Sequence, residues 1–197
     1  MMVELSRITL ALRALGVALV LSGILVWMIV DRARLLQTGR EVVLKTEPMD
    51  PRDIFRGHYA RLNYEISRIP CSLVEDLQSK TNAAGGSAIH VILAPGEDGF
   101  WHPVRARLAP PRTIAPGRVM LKGHLKWGLN IACIGDITID YGIKRYYASR
   151  KRALEVEHLG RDRKVPMGVI VRVSPAGKAA IAGLMIKGRK VYEEPLW

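Results

Sequence analysis

Aromatic side chains are scarce in this chain: 6% of 197 residues, with only two Phe. A core must therefore rest on Ile, Val, Leu and Ala. Few rings lie among the basic residues, which disfavours a stacking platform for nucleic acid. Cysteine is limited to Cys71 and Cys133, too few for a disulfide-dense scaffold or a four-cysteine zinc site. The five histidines (His58, His90, His102, His124 and His158) show no H-E-x-x-H spacing, so zinc hydrolysis has no signature. A G-x-S-x-G elbow, a P-loop and a G-x-G-x-x-G turn are all missing, which leaves serine hydrolysis and nucleotide binding without support. No cofactor is implied, and no internal repeat or low-complexity tract is visible.

What is present is apolar and basic. Hydrophobic residues make up 49% of the chain, which argues against disorder. Formal net charge is +12; the first thirty residues, with Arg7, Arg13 and Glu4, supply +1 of it. A domain this basic favours anionic lipid headgroups, acidic envelope polymers or nucleic acid. The simpler alternative is a charged, soluble surface, since only Arg145 to Arg152 and Arg161 to Lys164 approach basic runs.

Ala14 to Val30 (ALGVALVLSGILVWMIV) carries no charge. Seventeen helical residues span about 26 Å, and Arg13 can snorkel to extend the run. Trp27 suits an interface. A cleaved signal peptide would have a shorter apolar region and a small-x-small site; here the run ends Trp-Met-Ile-Val-Asp-Arg. The expected layout is a tail over 1–13, a transmembrane anchor over 14–30 (beginning as early as 8), a juxtamembrane linker over 31–40 and one domain over 41–197. Arg7 and Arg13 precede the span and Arg32, Arg34 and Arg40 follow it, so positive charge does not orient it.

Beyond the anchor, alternation and turn residues predict strands over Glu41–Glu47, His58–Ile66, Ala88–Ala94, Phe100–Leu108, Val119–Trp127 and Ile131–Ile139, with a last pair at Val169–Val173 and Ala179–Ile186. Gly96-Glu97-Asp98-Gly99 is a hairpin turn. In the His58–Ile66 strand, Ala60, Leu62, Tyr64 and Ile66 share one face. Ser72–Ser79 is predicted as a short helix with a Ser72/Glu75 capping box. Ile143–His158 is predicted as a second helix ended by Gly160, although Tyr146-Tyr147 would also suit a strand. The expected fold is mainly β or α+β: one transmembrane helix, then a compact antiparallel β-rich domain with one or two short helices.

The stretch PMDPRDIFRGHYARLNY, Pro48 to Tyr64, resembles the hallmark of the GDYXXLXY domain family of membrane-anchored bacterial proteins. The matching residues are Asp50, Pro51, Arg52, Asp53, Arg56, Gly57, Tyr59, Leu62 and Tyr64. The later Leu121-Lys122-Gly123 strand and the Tyr141-Gly142 turn fit the same order of elements. His58 stands where the motif has Asp, which suggests a structural or adaptable position. The resemblance implies an extracytoplasmic domain anchored in the cytoplasmic (inner) membrane. It does not imply an activity.

Asp50, Arg52, Asp53, Arg56 and His58 place five ionisable groups within nine residues. Arginine forks bind carboxylate or phosphate and the Asp residues would orient them; the alternative is a turn held by Asp caps and Asp–Arg pairs. With the domain outside the cytoplasm, Cys71 and Cys133 are a candidate disulfide, against the alternative of two buried thiols. The function this points to is a binding or structural envelope module, with another envelope protein or an anionic envelope component as partner. The rival is an enzyme acting on an anionic envelope substrate through the Asp50–His58 loop.

Overall fold

The computed structural model describes residues 2–47, 59–76, 82–130, 133–147, 167–186 and 188–193. One long helix, α1 (Met2–Thr38), opens the chain. Its segment Arg13–Thr38 is long and apolar enough to cross a membrane, and the domain covers none of that apolar stretch. Leu19 and Trp27 are each 65% exposed. So much uncovered apolar surface on one helix fits a lipid environment. The helix continues unbroken through residues 31–38, beyond the uncharged run.

Among the described residues thirteen strands follow: β1 (Arg40–Lys45), β2 (Tyr59–Arg61), β3 (Arg68–Pro70), β4 (Asn82–Ala83), β5 (Ala88–Pro95), β6 (Trp101–Arg107), β7 (Val119–Leu125), β8 (Leu129–Asn130), β9 (Asp136–Asp140), β10 (Arg145–Tyr147), β11 (Met167–Val173), β12 (Ala179–Ile186) and β13 (Arg189–Glu193). All strand pairings are antiparallel. The first sheet has the order β1-β11-β12-β13 and the second β3-β9-β7-β5-β6, with two-stranded ribbons β10-β2 and β4-β8. The fold is mainly β with one N-terminal helix.

Side-chain alternation explains why the two sheets meet. In β1, Val42 and Leu44 point inward opposite Val171 and Val169 of β11. In the second sheet Ile89, Val91 and Leu93 of β5 pair with Gly123, Leu121 and Val119 of β7. These residues form one core together with Ile137, Ile139, Val173, Ile181 and Leu184. With so few aromatics, branched aliphatic side chains fill it, as pleated, buried surfaces favour. The sheets are also joined through the backbone. The Lys122 N–H donates to the Gly177 carbonyl (2.9 Å), tying the β11–β12 turn to the edge of β7.

Three expectations need correction. The Ser72–Ser79 helix does not form over its described part: Cys71–Leu73 is a single 3-10 turn without a side-chain cap. Its backbone is drawn elsewhere, with Cys71 N–H donating to Gly135 O and Glu75 N–H to Ala106 O (2.9 and 3.0 Å). Asp76 accepts from the Leu108 and Ala109 N–H groups, and Glu75 pairs with Arg105. Residues 77–79 lie outside the described residues. The helix expected from Ile143 is overturned at its start, because Arg145–Tyr147 pairs as β10 with Arg61–Tyr59; residues 148–158 are outside the described residues. The strand expected over Ile131–Ile139 starts later: residues 131–132 lie outside the described residues, Cys133–Gly135 is irregular, and regular pairing begins at Asp136. β13 has no counterpart among the expected strands.

The helix enters the domain through a tight junction. The Gly39 N–H donates to Leu35 O at 2.9 Å, and the Arg172 guanidinium donates to Gly39 O at 3.2 Å. Gly39 is buried, and a Cβ there would press on Leu35 O, Arg172 Cβ (3.0 Å) and Val173 N (3.1 Å). Gly39→Val should therefore lower domain stability by about 1–3 kcal/mol. Gly16→Ala and Gly23→Ala, where nothing stands within 4 Å of an added Cβ, should leave it unchanged. Thermal unfolding of the detergent-solubilised full chain, compared across the three variants, checks this.

Candidate functional site

The motif segment lies between β1 and β2 in sequence and includes β2. Asp50, Arg52, Asp53, Arg56, Gly57 and His58 lie outside the described residues. Tyr59 opens β2 opposite Tyr147. Leu62 and Tyr64 are described, and both are buried, with Tyr64 only 1% exposed. The Leu62 N–H donates to Lys144 O at 2.8 Å, and Tyr64 forms a bridge to Thr46. This segment thus runs between the end of the first sheet and the strand that follows β9.

Tyr64 of the hallmark and Tyr141 of the later turn hold each other's segments. Tyr64 Oη donates to Ile143 O at 2.7 Å. Tyr141 Oη donates to Ile66 O at 2.9 Å. Each ring is packed in the core and each hydroxyl satisfies a carbonyl two residues from the other tyrosine, so the pair is reciprocal. A buried carbonyl left without a donor would cost about 1–3 kcal/mol. Burial pushes both phenols well above the ordinary tyrosine range, so they stay protonated donors.

Two neighbours position this clasp. Gly123 is buried, and a Cβ there would collide with the Ile139 side chain and stand 2.9 Å from Tyr141 Cδ1. The bare α-carbon is what admits the Tyr141 ring against β7, a physical reason for glycine at the end of Leu121-Lys122-Gly123. Asp140 fixes the turn: Oδ1 accepts from Gly142 N–H (3.0 Å) and Oδ2 from Lys144 Nζ (2.8 Å). Partial burial pushes the Asp140 carboxyl upward, but the Lys144 ammonium and the Gly142 N–H outweigh it and hold the group below its usual value.

Cys71 and Cys133 stand face to face, Cα atoms 5.9 Å apart and sulfurs in bonding contact. That Cα separation lies in the ordinary range for a disulfide. Beside them a cleft of about 360 Å³ is bordered by Trp127, Leu129, Ile134 and Thr138. Trp127 is 68% and Ile134 93% exposed. A second cleft of about 400 Å³ lies on the other face of β5, bordered by Ile92, Arg105, Ile114, Pro116 and Arg118.

Among the described residues, no three His, Cys, Asp or Glu side chains stand close enough to share a metal. His102 hydrogen-bonds Asp98 in the β5–β6 turn at 2.9 Å. That bond, with the Phe100 N–H, holds the Asp98 carboxyl low. His90 is buried in β5 between Arg107 and Lys122. Burial first, and then the Lys122 charge, hold its pKa down. Sequence reasoning named Gly123 and Tyr141 without a role for either, and it missed Asp140 and the carbonyls of Ile66 and Ile143. Their partners lie at least 75 residues away in the tyrosine bonds, and no local spacing reports such a contact.

The model of the GDYXXLXY protein family matches residues 21–184. The chain belongs to that family. The match takes in the last part of the apolar helix, the hallmark segment and every strand through β11. No curated protein and no solved structure matches. Leu62 and Tyr64, the Leu-x-Tyr of the family's hallmark, are thus core residues in this member, and their geometry accounts for the pattern by packing and hydrogen bonding.

Two outcomes follow for the clasp. Tyr64→Phe and Tyr141→Phe should each destabilise the domain by about 1–2 kcal/mol, and the double variant should depart from additivity, measured by chemical unfolding. The pH response has a sign on each side. The tyrosines' folded pKa values are raised, so their contribution is intact below about pH 10 and declines above it, as the unfolded chain ionises first. Asp140's folded pKa is lowered, so its contribution is intact above about pH 4 and is lost as pH falls through the folded value. Melting curves across pH should show both limbs, with the alkaline limb shallower in the Phe variants.

Proposed function

We propose that this protein is a membrane-anchored envelope module: a β domain held outside the cytoplasm by one N-terminal helix in the cytoplasmic membrane, acting by binding or by structural support. The anchoring rests on an exposed apolar helix of membrane-spanning length. The side of the membrane rests on one observation, the face-to-face placement of Cys71 and Cys133, 62 residues apart in sequence. Their union as a structural disulfide suits an oxidising compartment and would contribute roughly 4 kcal/mol through loop closure. Tyr64 supports a structural role for its part of the family motif, since its hydroxyl is committed to the Ile143 carbonyl. The basic surface supports an anionic partner within the envelope.

The topology test is a C-terminal alkaline phosphatase fusion, expected to be active in intact cells. An inactive fusion, with a cytoplasmic reporter active in its place, overturns the placement. Thiol titration of unreduced, denatured protein should find no free cysteine; finding two removes the disulfide and the argument built on it.

A further inference from the structure

The basic charge of this protein is not spread evenly about the helix exit. Arg32 and Arg34 are exposed on α1 just past Val30, the last residue of the uncharged run. Arg40 opens β1 immediately after the helix. Its guanidinium lies 5.3 Å from the Trp101 ring centroid and donates to Arg118 O at 3.4 Å. Arg118 is itself exposed at the start of β7, on the rim of the cleft bordered by Ile92, Ile114 and Pro116. The β11–β12 turn reaches back along the helix, where Lys178 meets Asp31 at 3.0 Å. That pair places this end of the domain beside the part of α1 that leaves the apolar span.

The acids in the same region are already taken. Asp31 pairs with Lys178, and Glu41 is shared by Arg172 and Lys190 at 3.0 and 3.4 Å. Arg32, Arg34, Arg40 and Arg118 have no carboxylate partner among the described residues. Four guanidiniums without a carboxylate partner among the described residues therefore lie along the last turns of α1 and at the rim where the helix meets the domain. Trp101 holds Arg40 there by a cation–π contact, and the neighbouring cleft offers apolar walls at the same rim.

We propose that this helix-side face of the domain, centred on Arg40 and Arg118, binds the phosphate groups of anionic phospholipids in the leaflet from which α1 emerges. Guanidiniums fork onto phosphate oxygens. A basic segment beside an anionic leaflet is attracted within about a Debye length, near 8 Å at physiological salt. The anchor holds the face at the bilayer, so the ligand is always within reach. The inference deepens the envelope-module reading by naming a partner, but it rests only on membrane anchoring. A domain on the cytoplasmic side would leave it intact, and the fusion experiment separates the two failures.

The test uses the full chain in phosphatidylcholine bilayers doped with spin-labelled phosphatidylglycerol or spin-labelled phosphatidylcholine, reading the motionally restricted lipid fraction by electron spin resonance. The wild type should prefer phosphatidylglycerol, and the preference should fade at about 1 M salt, where screening is near 3 Å. Arg40→Gln/Arg118→Gln should lower the preference by about two-fold or more, while Arg40→Lys/Arg118→Lys should largely keep it. Arg118 is exposed, so Arg118→Gln alone serves as a variant whose folding is not in question. Equal association of both lipids overturns the proposal. So does a preference removed only by Arg32→Gln/Arg34→Gln, or one abolished equally by inorganic phosphate at the lipid's concentration, which would make the face a general anion site.

Discussion

Two hydroxyl groups hold the centre of this protein. Tyr64 and Tyr141 lie in separate parts of the chain, yet each donates to a carbonyl in the other's segment. Because both are buried, neither bond is exchanged for one to water, and loss of either leaves a carbonyl stranded in the core. The first sheet reaches this point through the Thr46 bridge to Tyr64. The second reaches it through β9, whose last residue, Asp140, shapes the turn that presents Tyr141. Gly123 then makes room for the ring. Leu62 and Tyr64, Gly123 and Tyr141, scattered along the chain, become one packed unit.

The clasp also explains why the hallmark need not be catalytic. A phenol whose proton is engaged with a carbonyl, and whose pKa burial raises, is a poor acid or nucleophile near neutral pH. What the motif accomplishes at Leu62 and Tyr64 is attachment: these residues join the end of the first sheet to the segment that follows β9. Chemistry or recognition by this segment would have to come from Asp50 to His58, which lie outside the described residues.

The helix and the domain form a second dependency. A membrane anchor is often joined to its domain by a loose tether, but here α1 runs to Thr38 and the strand ladder begins at Arg40. Gly39 alone separates them, pinned by Leu35 and Arg172. The domain's position is thereby coupled to the helix axis. The short junction fixes Arg40 at the base of the helix, where its guanidinium meets Trp101 and the Arg118 carbonyl.

The long apolar helix, the β-rich class and most strand positions were determined by the sequence alone. An uncharged seventeen-residue run and period-two alternation are local signals, written in adjacent residues. The β5–β6 hairpin and the β11–β12 pair followed from alternation around turn residues for the same reason. Over their described residues, the expected helices at Ser72 and Ile143 did not form, because local caps and spacing compete with partners far away in the chain. Gly135, Ala106 and Arg61 supplied backbone hydrogen bonds that no helical turn could match. The tertiary structure alone decided that Tyr64 answers Ile143, that Gly123 must lack a Cβ, that Cys71 faces Cys133, and that Arg40 meets Arg118. Each of these depends on strand order, and strand order is a property of the whole core rather than of any window of residues.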